Sequence, residues 1–258
     1  MVTKIWQQSS GAGADLVVLH GWGLNARVWQ PLLPFLTPHF RVHCIDLPGF
    51  GDSPWPAETE VSLANYVKLL LPELPDSFHL LGWSMGGLIA TELALQAPDR
   101  VKTLTTMATS PRFLEDDNWP GMKASVLGLF QRQLKDDFEQ TVARFLAIQA
   151  MGSPNVRADT KLIKELVFEK PLPELVALRG GLKILADTDL RSRLPHLQCP
   201  LWRVYGERDT LVPVSAAKAI QQLVPDSPQW VVEQASHAPF IAHGQELSER
   251  LLTFINQH

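Results

Sequence analysis

Cysteine is scarce in this chain: Cys44 and Cys199 are the only two in 258 residues, and neither belongs to a CxxC pair or a Cys/His cluster. That excludes a disulfide framework and a thiolate metal site, and leaves two buried thiols as the expectation. Net positive charge is missing too. With 23 Lys and Arg against 27 Asp and Glu, the formal net charge is −4. No overall field therefore draws nucleic acid or anionic lipid. Long apolar runs are also absent: none approaches the roughly 18 residues that span a bilayer, and residues 1–10 carry one Lys and no apolar stretch of signal length. The chain is expected to be soluble, cytoplasmic and without nucleic-acid or membrane partners. H-E-x-x-H, P-loop and EF-hand spacings do not occur, so the expected chemistry uses no metal and no cofactor. Gly49-Phe50-Gly51 follows a strand pattern, but Pro54 stands where a dinucleotide fingerprint needs its third glycine, and the segment is read as a turn.

What is present is a globular composition, 45% hydrophobic and 19% charged, in a chain long enough for a large core. Short β-branched and apolar runs at 16–19, 41–45, 78–81 and 101–107 read as strands and alternate with helical patterns. This alternation predicts a mostly parallel central sheet flanked by helices, an α/β fold. Residues 86–96 form one such helix, with Leu88, Ile89, Leu93 and Leu95 near helical spacing and Pro98 closing it. From about 111 to 189 the strand pattern stops and four helices are expected. The first runs from about 122 to 134; Asp137 caps the second, with Gln140 three residues on. Ser153-Pro154 and the prolines at 171 and 173 introduce the others. Leu127, Phe130, Leu134, Phe138, Val142 and Phe145 give these helices an apolar face. Strands resume at 201–205 and 229–232, and 246–255 closes the chain as a helix. The domain reading is a core at 1–111 and 190–258, with an all-helical cap, or lid, at 112–189.

A serine hydroxyl is a weak nucleophile until a base takes its proton and an acid holds that base. Gly82-Trp83-Ser84-Met85-Gly86 has the form G-x-S-x-G between a strand and a helix, where small flanking residues permit a strained turn that lifts the hydroxyl off the sheet. The acid and base should follow in the order Asp, His, on loops beyond strand ends. Asp209 comes just after the strand ending at Tyr205, and His237 just after the strand near Val232. Glu207 and Asp187 are placed less well. Among the histidines, His237 is the expected base; His39, His79, His196, His243 and His258 read as surface or packing residues, and His43 lies within a strand. The backbone N–H groups of Met85 and of Trp22, in the loop His20-Gly21-Trp22-Gly23, are the expected oxyanion donors, with His20 ordering that loop.

This constellation resembles the α/β-hydrolase fold. Longer stretches are more specific: 18–26, 46–51, 82–87, Asn118-Trp119-Pro120-Gly121, Arg144-Phe145-Leu146-Ala147, Gln149 with Met151-Gly152, and His237-Ala238-Pro239-Phe240. Through these the chain resembles the pimeloyl-[acyl-carrier protein] methyl ester esterase family of biotin biosynthesis. The elbow and the Asp-Leu-Pro-Gly turn are common to much of the superfamily, whereas 119–121 and 144–152 discriminate. The resemblance implies a monomeric carboxylesterase acting on a methyl pimeloyl group borne by acyl carrier protein, with small esters as side substrates. It implies substrate contacts at Trp22, Ser84, Met85, Phe145, Leu146, Ala147, Ile148, Gln149 and His237. It also implies carrier-protein contacts at Arg144, Arg157 and Lys161, while Gln140 stands where a basic residue is expected. Triad and oxyanion donors do not encode substrate. A generalist short-chain esterase, a carbon–carbon bond hydrolase on the same fold, and a ligand-binding receptor built on a retired hydrolase therefore stay open at this point.

Overall fold

The computed structural model describes residues 4–258, leaving aside the side chains at 135, 136 and 138. Its strands, in chain order, are β1 Gln7–Ser10, β2 Ala14–Leu19, β3 Phe40–Ile45, β4 Phe78–Trp83, β5 Val101–Met107, β6 Leu201–Gly206 and β7 Gln229–Val232. Helices α1 Leu33–Leu36, α2 Leu63–Leu70 and α3 Met85–Gln96 lie among the first five strands. Helices α4 Ala124–Asp136, α5 Phe138–Gln149, α6 Val156–Val167 and α7 Leu175–Asp187 follow β5. Then α8 Val214–Leu223 joins the last two strands, and α9 Pro239–Ala242 and α10 Gly244–Asn256 end the chain.

The strands form one sheet in the order β1-β3-β2-β4-β5-β6-β7. All neighbours pair in parallel except β1, which runs antiparallel to β3 with Gln7 opposite Ile45 and Ser10 opposite Val42. Strand β1 is absent from the sequence expectations for a physical reason. Its sequence, Gln-Gln-Ser-Ser, is polar on both faces and mostly exposed, as suits a sheet edge but not a period-two signal. In β4 and β6 every residue is buried, which is why they read as continuous apolar runs. Helix α3 is buried from Met85 to Ala94, and so apolar nearly all round.

The four helices expected after residue 111 are present, and Asp137 accepts a hydrogen bond from the Gln140 N–H at 2.9 Å as its capping role requires. Leu127, Phe130, Leu134, Val142 and Phe145 of their apolar face are buried. The side chain of Phe138, assigned to that face, lies outside the described residues. Cys44 is buried and Cys199 is only partly so. No helix of the described residues is long and apolar enough to cross a membrane.

The strand order positions the site. From β2 the chain moves outward to β3, then returns to place β4 on the other side of β2. The loops leaving the carboxyl ends of β2 and β4 thus part at a switch point, where open α/β sheets form their crevices. Leu19 pairs with Gly82 there, so His20-Gly21-Trp22 and Ser84 emerge side by side.

Candidate active site

Ser84 sits between β4 and α3 with φ 56° and ψ −122°, a conformation that costs a side-chain-bearing residue about 1–3 kcal/mol and persists only where surroundings enforce it. They do so from several sides. The Ser84 N–H donates to Met107 O at 2.9 Å, and Ser84 O accepts from Gly87 N and from Thr109 Oγ1. Gly82 and Gly86 allow the close approach: a Cβ on Gly86 would fall 2.4 Å from the carbonyl oxygens of both Leu19 and His20.

His237 and Asp209 reach the serine from the loops after β7 and β6. Asp209 Oδ2 accepts from His237 Nδ1 at 2.7 Å, and His237 Nε2 faces Ser84 Oγ at 2.9 Å. Asp209 Oδ1 accepts the N–H groups of Leu211 and Val212, at 2.8 and 2.9 Å, which fixes the carboxylate. All three residues are buried. With Nδ1–H committed to the carboxylate, Nε2 presents a lone pair to the hydroxyl, the arrangement that proton removal needs. Trp83, which the sequence reading leaves without a role, donates its indole N–H to His237 O at 2.8 Å and so ties the base's backbone to the elbow.

Distances of this kind do not by themselves make a nucleophile. Ser9 Oγ lies 2.8 Å from His43 Nδ1, and His43 Nε2 lies 2.6 Å from Asp15 Oδ1. But Ser9 is within an edge strand in ordinary extended pairing, with no helix N-terminus behind it. At Ser84 the situation differs. Met85 opens α3, so its N–H is one of the orphan donors of a helix start. Trp22 N–H likewise has no acceptor among the described residues, and a Cβ on neighbouring Gly21 would sit 3.2 Å from Ser84 Cβ.

His20 orders this loop, as expected. Its Nε2 accepts from Leu47 N at 3.0 Å, so its Nδ1–H donates to Gly21 O at 2.8 Å. Burial pushes its pKa down to about 4, against a smaller opposing pull from Asp46. The unfolded chain, with an ordinary value near 6.5, binds the extra proton first, so stability present above about pH 6.5 is lost as pH falls toward 4. Between about pH 7 and pH 5 His20 should contribute a loss of about 2 kcal/mol. Urea unfolding at those two values, compared with His20→Asn, measures it; an unchanged slope in the variant would remove His20 as the cause.

A narrow apolar pocket adjoins Ser84, lined by Phe113, Met122, Leu127, Phe130, Phe145, Leu185 and Leu211. Of the substrate contacts expected at 145–149, Phe145 lines it and also meets Trp22 edge to face at 4.7 Å. Leu146 is buried in the core cluster, Ala147 and Ile148 are half-buried, and none of the three lines this cavity. Gln149 is fully buried, and its Oε1 has no partner among the described residues. The sequence reading places Leu127 and Phe130 on an apolar face and Met122 at the start of their helix, but says nothing of Phe113, Leu185 or Leu211; spacing within one helix does not reveal a wall shared by several elements. Arg144, Arg157 and Lys161 are exposed; Arg144 donates to Gln140, and Lys161 pairs with Glu165 at 3.6 Å. No cluster of three metal-ligating side chains occurs among the described residues.

A parallel sheet whose carboxyl edge holds a strained serine, a histidine on a carboxylate and free amides defines a serine hydrolase scaffold, and the family described as alpha/beta hydrolase fold matches residues 16–244. The chain belongs to that family. Within it, proteins named "Pimeloyl-[acyl-carrier protein] methyl ester esterase" are close relatives. The one from Aliivibrio fischeri is 49% identical over 261 residues, covering 100% of both chains. That from Photobacterium profundum is 49% identical over 255 residues, covering 99% of this chain and 100% of its own. An esterase structure from Exiguobacterium antarcticum superposes with a TM-score of 0.87 at 24% identity, covering 98% of this chain and 96% of that one, which shows the shared fold.

Proposed function

We propose that this chain is a carboxylesterase that hydrolyses the methyl ester at the free end of a pimeloyl chain borne by acyl carrier protein. The observation that carries the reading is the hydrogen-bonded line Asp209–His237–Ser84 opening onto an apolar cavity. The name its relatives carry supplies the substrate, at 45–49% identity over nearly the whole chain. Neither the generalist, the carbon–carbon hydrolase nor the receptor reading is favoured by them.

In this reading Ser84 Oγ attacks the ester carbonyl while His237 Nε2 takes its proton. The Trp22 and Met85 N–H groups receive the developing oxyanion, where each donor contributes on the order of a hundredfold in rate. His237 returns the proton to the departing methoxide, releasing methanol. Water, deprotonated by His237, then attacks the acyl-enzyme, and His237 passes that proton to Ser84 Oγ as the carboxylate leaves. Every protein group in these steps is a side chain or amide of this chain, so the proposed steps call on no metal or cofactor; the proposal also takes the enzyme to be a cytoplasmic monomer.

Residues 112–189 serve as the cap over that serine. The apolar side chains beside Ser84 suit a methylene chain, which gains roughly 0.8 kcal/mol per buried CH₂. Phe145 lines that pocket and is the contact it supports directly; Leu146, Ala147, Ile148 and Gln149 are the further contacts the reading assigns. Arg144, Arg157 and Lys161, each exposed, are the contacts assigned to an acidic carrier. Small esters are side substrates.

Methyl pimeloyl-carrier protein should be turned over with kcat/KM at least about tenfold above that for p-nitrophenyl esters or ring-cleavage products, a margin of about 1.4 kcal/mol. Expression should restore biotin-independent growth to cells lacking the pathway esterase, and the Ser84→Ala form should not. Robust p-nitrophenyl esterase activity without growth rescue would overturn the substrate assignment and leave a generalist esterase.

A further inference from the structure

The connection between α6 and α7, residues 167–174, is bound to the sheet's carboxyl edge by polar contacts along its length. Asn25 Nδ2 donates to Val167 O at 2.8 Å, and Arg27 pairs with Glu169 at 3.3 Å. Glu174 N–H donates to Gly49 O, while its carboxylate accepts from Trp55 N at 2.8 Å. Between them Lys170, its side chain 4% exposed, places Nζ 2.6 Å from Asp46 Oδ2 and 3.0 Å from Asp52 Oδ2, beneath the Trp6 ring. Asp46 is fully buried. Its other oxygen accepts the Ala26 N–H at 2.8 Å, and Oδ2 also accepts the Asp52 N–H.

Asp46 therefore holds the far end of the loop that begins at His20. The near end is held by the next residue, since Leu47 N–H donates to His20 Nε2 and His20 holds Gly21 O. The loop's middle is held by α7, where Leu178 O accepts the Trp22 indole N–H at 2.9 Å.

We infer that Lys170 is a positioning residue of the oxyanion loop: by neutralising Asp46 in a buried site it keeps the Asp46–Ala26 anchor in place and the Trp22 amide aimed at the reacting carbonyl. This rests on the reading of Trp22 N–H as an oxyanion donor. Without the cation, a buried carboxylate is left with backbone donors alone, a costly state that is relieved by water entry or by movement of the carboxylate. Either relief loosens Ala26. A donor displaced in this way acts on the transition state and not on bound substrate, so the loss falls on kcat.

The test is Lys170→Met, with Lys183→Met as the control: Lys183 is also on the helical segment but exposed, pairing with Glu60 at 3.8 Å. Active sites are counted by stoichiometric fluorophosphonate labelling, and kcat, KM and the inhibition constant of an alkyl trifluoromethyl ketone are measured per site. The ketone's adduct with Ser84 places an oxyanion where the donors point. Lys170→Met should lower kcat about tenfold with KM within about twofold, and weaken the ketone by a similar factor, part of what loss of a whole donor costs. Asp52→Asn, which keeps the Lys170–Asp46 pair, should move both quantities in the same direction but less. Lys183→Met should change neither.

Wild-type kcat and ketone affinity in Lys170→Met, with only the melting temperature lowered, would reduce Lys170 to a strut and overturn the inference. If that variant does not fold, unchanged kcat and ketone affinity in Asp52→Asn overturn it instead. Failure of the ketone to inhibit the unmodified enzyme would sink the reading of the site itself, and the inference with it.

Discussion

Ser84→Ala is expected to lower kcat by about 10⁶-fold, the scale seen when a triad nucleophile is removed, while leaving the protein folded. The side chain and backbone of Ser84 do separate things. Its Oγ meets His237 Nε2. Its N–H and C=O hold the elbow through Met107, Gly87 and Thr109, and alanine keeps all of these. Alanine at φ 56° is strained as serine is, so stability should change by about 1 kcal/mol or less, the worth of one hydrogen bond. Single-turnover release of p-nitrophenol from an excess of enzyme measures the chemistry, and a thermal melt measures the fold. A folded variant retaining a thousandth or more of the wild-type rate would take the nucleophile's role from Ser84. The same variant reads out the Ser9–His43–Asp15 arrangement, which has the hydrogen-bond distances but not a helix start behind its serine. It should supply no residual turnover.

The serine and the acid were legible in the sequence because each follows a fully buried strand whose apolar run is easy to see, and the base because it follows the short β-branched run of β7, buried only at Val232. Their mutual order is set by topology and not by spacing, so a separation of 153 residues between Ser84 and His237 is no obstacle. The four helices after β5 were legible from local signals: apolar spacing for the first, the Asp137 cap for the second, and prolines just upstream of the last two. Strand β1 was not, since an exposed edge strand needs no apolar face.

Pairings between distant polar residues were the least legible. Lys170 and Asp46 are 124 residues apart, and nothing in either neighbourhood marks one as the other's partner. Only the packing of residues 167–174 against the sheet edge turns an apparently ordinary surface lysine into a buried cation. The wall of the cavity escaped for a related reason. Leu185 and Leu211 come from α7 and from the loop after β6, and Phe113 and Met122 from the segment before α4, so no single periodicity contains them. The structure shows a direct contact at Gly181: a Cβ there would lie 2.5 Å from the Trp22 ring and 3.0 Å from Met85 Sδ. Its place beside Gly180 on a helix brings α7 over the side chains of both residues whose amides are the proposed oxyanion donors.

Asp209→Asn should lower kcat by about 10⁴-fold with little loss of stability, the size expected when the base is locked in the wrong tautomer. The structure supplies the reason. Oδ1 accepts two backbone N–H groups, from Leu211 and Val212, and an amide nitrogen cannot take that place because it is itself a donor. Asparagine must therefore keep its oxygen on those two amides and turn its NH₂ toward His237 Nδ1. Nδ1 then accepts, the imidazole proton moves to Nε2, and the nitrogen facing Ser84 Oγ has no lone pair to offer. KM for small esters should stay within about twofold, because the tautomer matters only once proton transfer begins. Asp209→Ala should lose a comparable rate and also about 1–3 kcal/mol of stability, since it leaves the two amides unpartnered. Glu207, whose carboxylate accepts from Gln234 N at 2.9 Å rather than from the histidine, provides the contrast: Glu207→Gln should retain most of the activity. Near-wild-type turnover in Asp209→Asn, with a collapse in Glu207→Gln, would move the acid's role off Asp209.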